Sequence, residues 1–336
     1  MTTPLRLMEL TSGVYAFKAL ALADRLGLFT ELSDEKSTSV AEFAARHGIA
    51  ARPAELLLTA CTALGLLEVE SGQYRNSALS EEFLVEGRPY YFGGWVKVVD
   101  QHEYPAYLKA EISLRGNHPT TWDTAKQESL FAPDDPVVRE LFWDGMYSLS
   151  SYTATRLATV FDFGPALRLL DVGGGGAAFD IELCQAHPHL RATVFDLPFV
   201  GDLTLERVRS AGLADRIEFV AGDFFTDALP GGHDMVLLSN ILHDWAEDDV
   251  RRILAACADA LAPGGALLIC ESFVDNSKAG PPLAALMSLN MLVETWGRNY
   301  TTAEYSAWLR ETGLTVASVR PFDAPGANGV LVARKP

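Results

Sequence analysis

Three acids and a run of glycines carry the first chemical signal. Asp171-Val172-Gly173-Gly174-Gly175 ends the buried apolar run Leu167 to Val172 and precedes a helical stretch, Phe179 to His187. Strand, glycine turn and helix make a site for nucleotide-like ligands: glycine lets the backbone approach the ligand, and the helix start offers unpaired N–H groups. Dinucleotide enzymes share that signal. Here, however, Asp171 precedes the glycines by two residues, and position 178 is Ala where the dinucleotide fingerprint has its third glycine. Asp196 closes the next strand, Arg191 to Asp196, where a carboxylate can accept both hydroxyls of a ribose. Asp223, in Gly222-Asp223-Phe224-Phe225, closes the third beside an aromatic residue, which suits the edge and face of an adenine. Each acid alone reads equally well as a turn or cap residue. His243-Asp244-Trp245 follows the fourth strand and by itself reads as a capping segment, with Asp244 before a helix at Asp248.

The elements that must position these residues alternate. Strands at Leu167–Val172, Arg191–Asp196, Ile217–Val220, His233–Ser239 and Gly265–Glu271 are separated by helices, the pattern of a parallel, doubly wound sheet. After the helix Thr301–Thr312, the strands Leu314–Arg320 and Gly329–Arg334 form a hairpin, so the sheet should end with an antiparallel strand. The first hundred residues differ. Leu7 to Leu32 is helical with a break at Gly27; Ser39–His47 opens on a Ser cap with Glu42 three residues on; Arg52–Leu64 is a second helix; Gly65–Glu70 and Gln73–Asn76 are strands about a Ser71-Gly72 turn. Helix, turn, helix and hairpin make a winged-helix pattern. Its second helix carries one basic residue, Arg52, and its wing carries Glu68 and Glu70, so it reads as a packing or dimerisation module rather than a DNA-reading head. Three segments follow: a mainly α winged-helix-like dimerisation domain at 1–100, linking helices at 101–160, and a Rossmann-like catalytic domain at 161–336.

Composition bounds the function. A formal charge of −17 over 336 residues argues against nucleic acid as the main partner. No apolar run approaches the ~20 residues of a membrane helix, and the first residues start no signal peptide, so a cytoplasmic protein is expected. The four cysteines lie apart in apolar segments and read as buried thiols; the seven histidines lack metal spacing, and no metal is expected.

Asp171-Val172-Gly173-Gly174-Gly175, Phe195-Asp196-Leu197-Pro198, Gly222-Asp223-Phe224-Phe225 and Leu242-His243-Asp244-Trp245, in that order, resemble the small-molecule O-methyltransferase family. That family includes plant caffeic acid and flavonoid enzymes, acetylserotonin methyltransferase and bacterial natural-product enzymes. The resemblance covers nearly the whole chain and implies S-adenosyl-L-methionine as cofactor, a homodimer formed through the N-terminal domain, and a small aromatic acceptor. Residue by residue it implies that Gly173 and Gly175 form the cofactor turn, Asp196 and Leu197 hold the ribose, and Asp223 and Phe224 hold adenine. Ser239 and Ser150 would be further cofactor contacts. His243 would be the general base, with Glu271 orienting it and Asp244 beside it. Met146, Trp143, Asn240, Met287, Asn290 and Met291 would line the acceptor pocket. The chain departs from the plant enzymes twice: Ala177 stands where the glycine loop usually has Gly, and Asn299 replaces a second acid near the base, with Glu294 a possible substitute or substrate contact. Carbon or nitrogen methylation with the same cofactor, NAD-dependent oxidoreduction and a ligand-sensing regulator are the competing readings.

Overall fold

The computed structural model describes residues 3–123, 130–131 and 136–336. The chain divides between His102 and Glu103 into two compact units. The first unit holds α1 (Leu5–Arg25), α2 (Leu28–Glu31), α3 (Val40–His47), α4 (Ala51–Ala63), β1 (Leu67–Glu70), β2 (Gln73–Asn76), α5 (Ala78–Phe83) and α6 (Gly93–Val98). Its local signals work as expected. Gly27 takes φ +70° between α1 and α2, and Ser39 and Glu42 close a reciprocal capping box on α3. Leu28, Phe29, Phe43, Leu58 and Cys61 form its core. The N-terminal half of α1 instead turns Leu7, Leu10 and Tyr15 outward, each more than 60% exposed.

The second unit begins with α7 (Tyr104–Tyr107), α8 (Ala110–Gly116) and the long α9 (Pro136–Val160). Then come β3 (Arg168–Val172), α10 (Ala178–Ala186), β4 (Arg191–Asp196), α11 (Gly201–Ser210), β5 (Ile217–Ala221), β6 (His233–Ser239), α12 (Glu247–Ala260) and β7 (Leu261–Glu271). It ends with α13 (Pro282–Glu294), α14 (Thr302–Glu311), β8 (Thr315–Pro321) and β9 (Gly329–Arg334). The seven-stranded sheet has the order β5-β4-β3-β6-β7-β9-β8. β3 to β7 run parallel, and β9 is antiparallel to both neighbours. The C-terminal strand β9 is thus the antiparallel one, as the hairpin predicted, and it is paired on both sides. It inserts between β7 and β8, because Val330 to Ala333 are apolar and buried and need cover on both sides, whereas β8 alternates half-buried and exposed residues as an edge strand can.

Alternation along the strands makes two cores. Leu169 of β3 joins Leu157, Phe163, Leu183 and Val194 on one face. Leu170 and Val172 join Val236, Leu238, Ile253, Leu254 and Ile269 on the other. All four cysteines are free and buried. Among the described residues no helix is long and apolar enough to cross a membrane.

Candidate active site

β3 and β6 are neighbours at the centre of the sheet, and later strands are added on opposite sides of the pair. The crevice beyond their carboxyl ends is where such sheets take ligands. There the glycine turn after β3 meets the segment after β6. Gly173 and Gly175 both take positive φ, +75° and +53°. A Cβ on Gly173 would lie 2.5 Å from Ile241 Cδ1, and one on Gly175 would lie 2.8 Å from Trp143 Cζ3. The turn thus needs glycine for its conformation and for its close approach to both neighbours. Ala177, at the N-cap of α10, holds the same left-handed geometry with φ +60°.

Asp196 ties the turn to β4. Its Oδ2 accepts the Gly175 N–H at 2.8 Å, and its Oδ1 accepts the Leu197 N–H at 2.6 Å. Burial raises its pKa to about 6 against the pull of those two donors. A carboxylate has about four lone-pair sites, so each oxygen retains capacity for a ligand hydroxyl. Asp223 accepts the Phe225 N–H at 2.8 Å, so it is a turn residue as well as a candidate contact. Phe224 packs edge-on to Trp245 at 5.7 Å. Ser239 ends β6 beside the Cys270 thiol, and Ser150 and Met146 are half-buried on α9. These residues offer an apolar slot, two carboxylates and a glycine cradle, which fits the adenosine and methionine parts of S-adenosylmethionine.

The histidine is held by a fully built arrangement. Glu271, 1% exposed at the end of β7, accepts the N–H groups of Ile241 and Leu242 on Oε1 at 3.1 and 3.0 Å. Its Oε2 accepts the Nδ1–H of His243 at 2.6 Å. Nε2 is left facing away, 3.7 Å from Asp244 Oδ1. Burial alone would lower the histidine's pKa, but the charges of Glu271 and Asp244 and the Glu271 hydrogen bond outweigh it and raise it to about 9. Asp244 is raised to about 7, chiefly by burial. The capping role that Asp244 alone suggested is not its role: α12 starts after Ala246, and Asp244 lies in a separate short turn.

The stretch after α13 crosses this turn. Gly297 presses so closely that a Cβ would overlap His243 O, Asp244 C and Trp245 N. Asn299 is buried; its amide donates to Ser272 O at 2.8 Å, and its backbone N–H donates to Ser288 Oγ at 3.1 Å. Glu294 is buried within electrostatic reach of Asp244. Asn290 is buried and donates to Glu103 Oε1 at 2.9 Å. Met287 is half-buried, while Met291 is buried and its sulfur accepts the Thr295 hydroxyl at 3.6 Å, which is ordinary packing. Asn240 takes φ +54° and its amide nitrogen lies 3.0 Å from where a Gly326 Cβ would sit. Trp143, expected with the acceptor residues, lies over Gly175 and packs with Phe142 and Phe199.

Residues 106–315 match the family model described as an O-methyltransferase domain, and residues 8–86 match one described as an O-methyltransferase dimerisation domain. The chain belongs to this O-methyltransferase family. The methyltransferase is 48% identical, over 99% of its length and 95% of the relative's, to 3-hydroxy-5-methyl-1-naphthoate 3-O-methyltransferase of Streptomyces sahachiroi. It is 34% identical to the tetracenomycin polyketide synthesis 8-O-methyl transferase of Streptomyces glaucescens, over 98% and 96% of the two chains. Human N-acetylserotonin methyltransferase, solved in complex with S-adenosylmethionine, superposes with a TM-score of 0.84 at 28% identity over 100% of this chain and 98% of that one. The enzyme is thus an S-adenosylmethionine-dependent O-methyltransferase of the bacterial natural-product type.

Sequence reasoning missed two residues of the methyltransferase's site. Thr204 donates its hydroxyl to Gly175 O at 2.7 Å and so locks the cofactor turn. Glu103 fixes the Asn290 amide. Neither stands in a motif; only the packing of α11 and of the turn before α7 reveals them.

Proposed function

We propose that this enzyme methylates a phenolic hydroxyl of a small aromatic acceptor, with His243 as general base and Glu271 as its orienting carboxylate. The Nδ1–Glu271 hydrogen bond of 2.6 Å carries this reading. A phenol with pKa near ~10 is a poor nucleophile at neutral pH. An imidazole with its Nδ1 proton pinned presents Nε2 as the acceptor for the phenol proton, and Glu271 stabilises the imidazolium that forms. Glu271 can do so because Ile241 and Leu242 N–H hold its other oxygen. S-adenosylmethionine supplies the electrophilic methyl group on its sulfonium. Gly173, Gly175, Asp196, Leu197, Asp223, Phe224, Ser239 and Ser150 would bind and orient it. Met146, Asn240, Met287 and Asn290 would hold the acceptor's flat face and edge, and Glu294 and Asn299 would surround the base. Positioning the two reactants supplies the rest of the acceleration.

The naphthoate and tetracenomycin relatives support a fused aromatic acceptor. Other relatives support nitrogen or carbon as target: the N,N-dimethyltransferase of Streptomyces rimosus at 32% identity and the L-tyrosine C(3)-methyltransferase of Streptomyces lavendulae at 30%. The dimerisation domain and the exposed apolar face of α1 support a homodimer through the N-terminal unit. The test is product analysis by mass spectrometry and NMR with hydroxynaphthoates, simple phenols and arylamines. A methyl ether from the hydroxyaromatics is expected; methylation only at nitrogen or carbon would overturn the proposal.

A further inference from the structure

Beneath the glycine turn lie two carboxyl groups that the reaction just described does not use. Asp171, the acid of the glycine motif, sits on β3 and is 2% exposed. Asp180 sits in the first turn of α10 and is fully buried. The Asp171 carboxyl lies under the turn: a Cβ on Gly174 would come within 2.7 Å of its Oδ2. Both oxygens of Asp180 are buried without a well-formed hydrogen bond, and apart from its own backbone N–H the group within hydrogen-bonding reach is the Asp171 carboxyl. Two carboxylates hold no hydrogen between them. Contact of this kind in a dry setting is stable only when one proton lies between the pair.

We propose that Asp171 and Asp180 share one proton, and that Asp180 is a positioning residue that keeps a single negative charge under the cofactor turn. The balance is simple. Two ionised groups repel each other without a bond, and two neutral ones present no charge to the cationic cofactor. One proton gives one strong hydrogen bond and one net charge, and so fixes the Asp171 side chain on which Gly174 rests. The titratable groups facing the pair are Asp196 from β4, the Cys184 thiol from α10 and the Cys270 thiol from β7. Burial raises both thiols, Cys184 to about 12, so they stay neutral. The neighbouring Asp196 charge helps keep the proton in place. Burial and mutual repulsion raise Asp171 well above the ordinary carboxylate range.

The cofactor-free protein tests this by infrared difference spectroscopy at pH 8, where Asp196 and Asp244, with pKa of about 6 and about 7, are largely ionised. The wild type should show a carboxylic-acid carbonyl band that moves in Asp180→Asn, since the amide then takes the place of the Asp180 carboxylate as partner of the Asp171 carboxyl. S-adenosylmethionine titrated calorimetrically should bind Asp180→Asn within ~3-fold of wild type. Asp180→Leu, which leaves the Asp171 carboxyl without a hydrogen-bond partner, should bind it at least ~10-fold more weakly at an unchanged melting profile. Wild-type and Asp180→Asn spectra that superimpose, or Asp180→Leu binding as tightly as wild type, would overturn the proposal.

Discussion

At the scale of single residues, the pairing of His243 with two carboxylates governs how the proposed base responds to pH. With its pKa raised to about 9, the imidazole of the free enzyme is cationic at neutral pH and must lose its proton before it can accept another. Hence kcat/KM should climb with pH, with its inflection near 9. Glu271→Gln removes one of the flanking charges, so its inflection should fall towards ~6.5 while the plateau drops, because the tautomer is less well held. Initial-rate profiles of both proteins decide this; identical inflections would place the controlling group on the acceptor. Stability follows with a definite sign. A histidine pKa raised by folding contributes stability that is complete below ~6.5 and lost as pH rises through about 9. The raised Asp244 adds a loss as it ionises between ~3.9 and about 7. Melting temperature should therefore fall from pH 6 to 9, and His243→Ala should flatten the upper part of that fall. The same variant should lower kcat by ~100-fold or more while leaving S-adenosylmethionine affinity within ~3-fold.

At the scale of elements, two backbone contacts set the site. Ala177 occupies the left-handed N-cap of α10 at a cost of about 1–2 kcal/mol. Its methyl is fully buried, which returns roughly 0.8 kcal/mol. Ala177→Gly should thus change stability by only about 1 kcal/mol, whereas Ala177→Val, β-branched at positive φ, should destabilise the fold and weaken cofactor binding together. Denaturant titration and calorimetry measure both. Gly297 is different because its conformation is ordinary and its neighbours are backbone. Gly297→Ala drives a methyl into the His243–Trp245 turn, so kcat should fall more than cofactor affinity even where the chain still folds. Equal kcat in Gly297→Ala would show that this turn gives way freely.

At the scale of the whole molecule, the two units carry different burdens. The larger one buries an apolar core on each sheet face and holds the glycine turn, the acids and His243. The smaller has its own core yet leaves Leu7, Met8, Leu10 and Tyr15 of α1 exposed. Apolar residues gathered on one helix mark an interface rather than a free surface. Leu7→Glu combined with Leu10→Glu should shift the enzyme from dimer to monomer in sedimentation velocity without loss of its own secondary structure. A variant that remains dimeric would move the interface off this face.

The sequence by itself determined the winged-helix start, the order of strands and helices, the glycine turn and its acids, and the family. Those features rest on local causes: caps, left-handed glycines, period-two strands and residues that stand in ordered motifs. The tertiary structure decided the rest. Strand order in a sheet is a long-range outcome, so only the folded chain shows β9 inserted between β7 and β8. The family resemblance named Glu271 as the partner of His243, but the bond itself is made by packing, from a strand 28 residues later in the chain. Only packing puts Trp143 over Gly175, and sets Asp180 against Asp171, because no periodicity or spacing encodes which buried groups will meet.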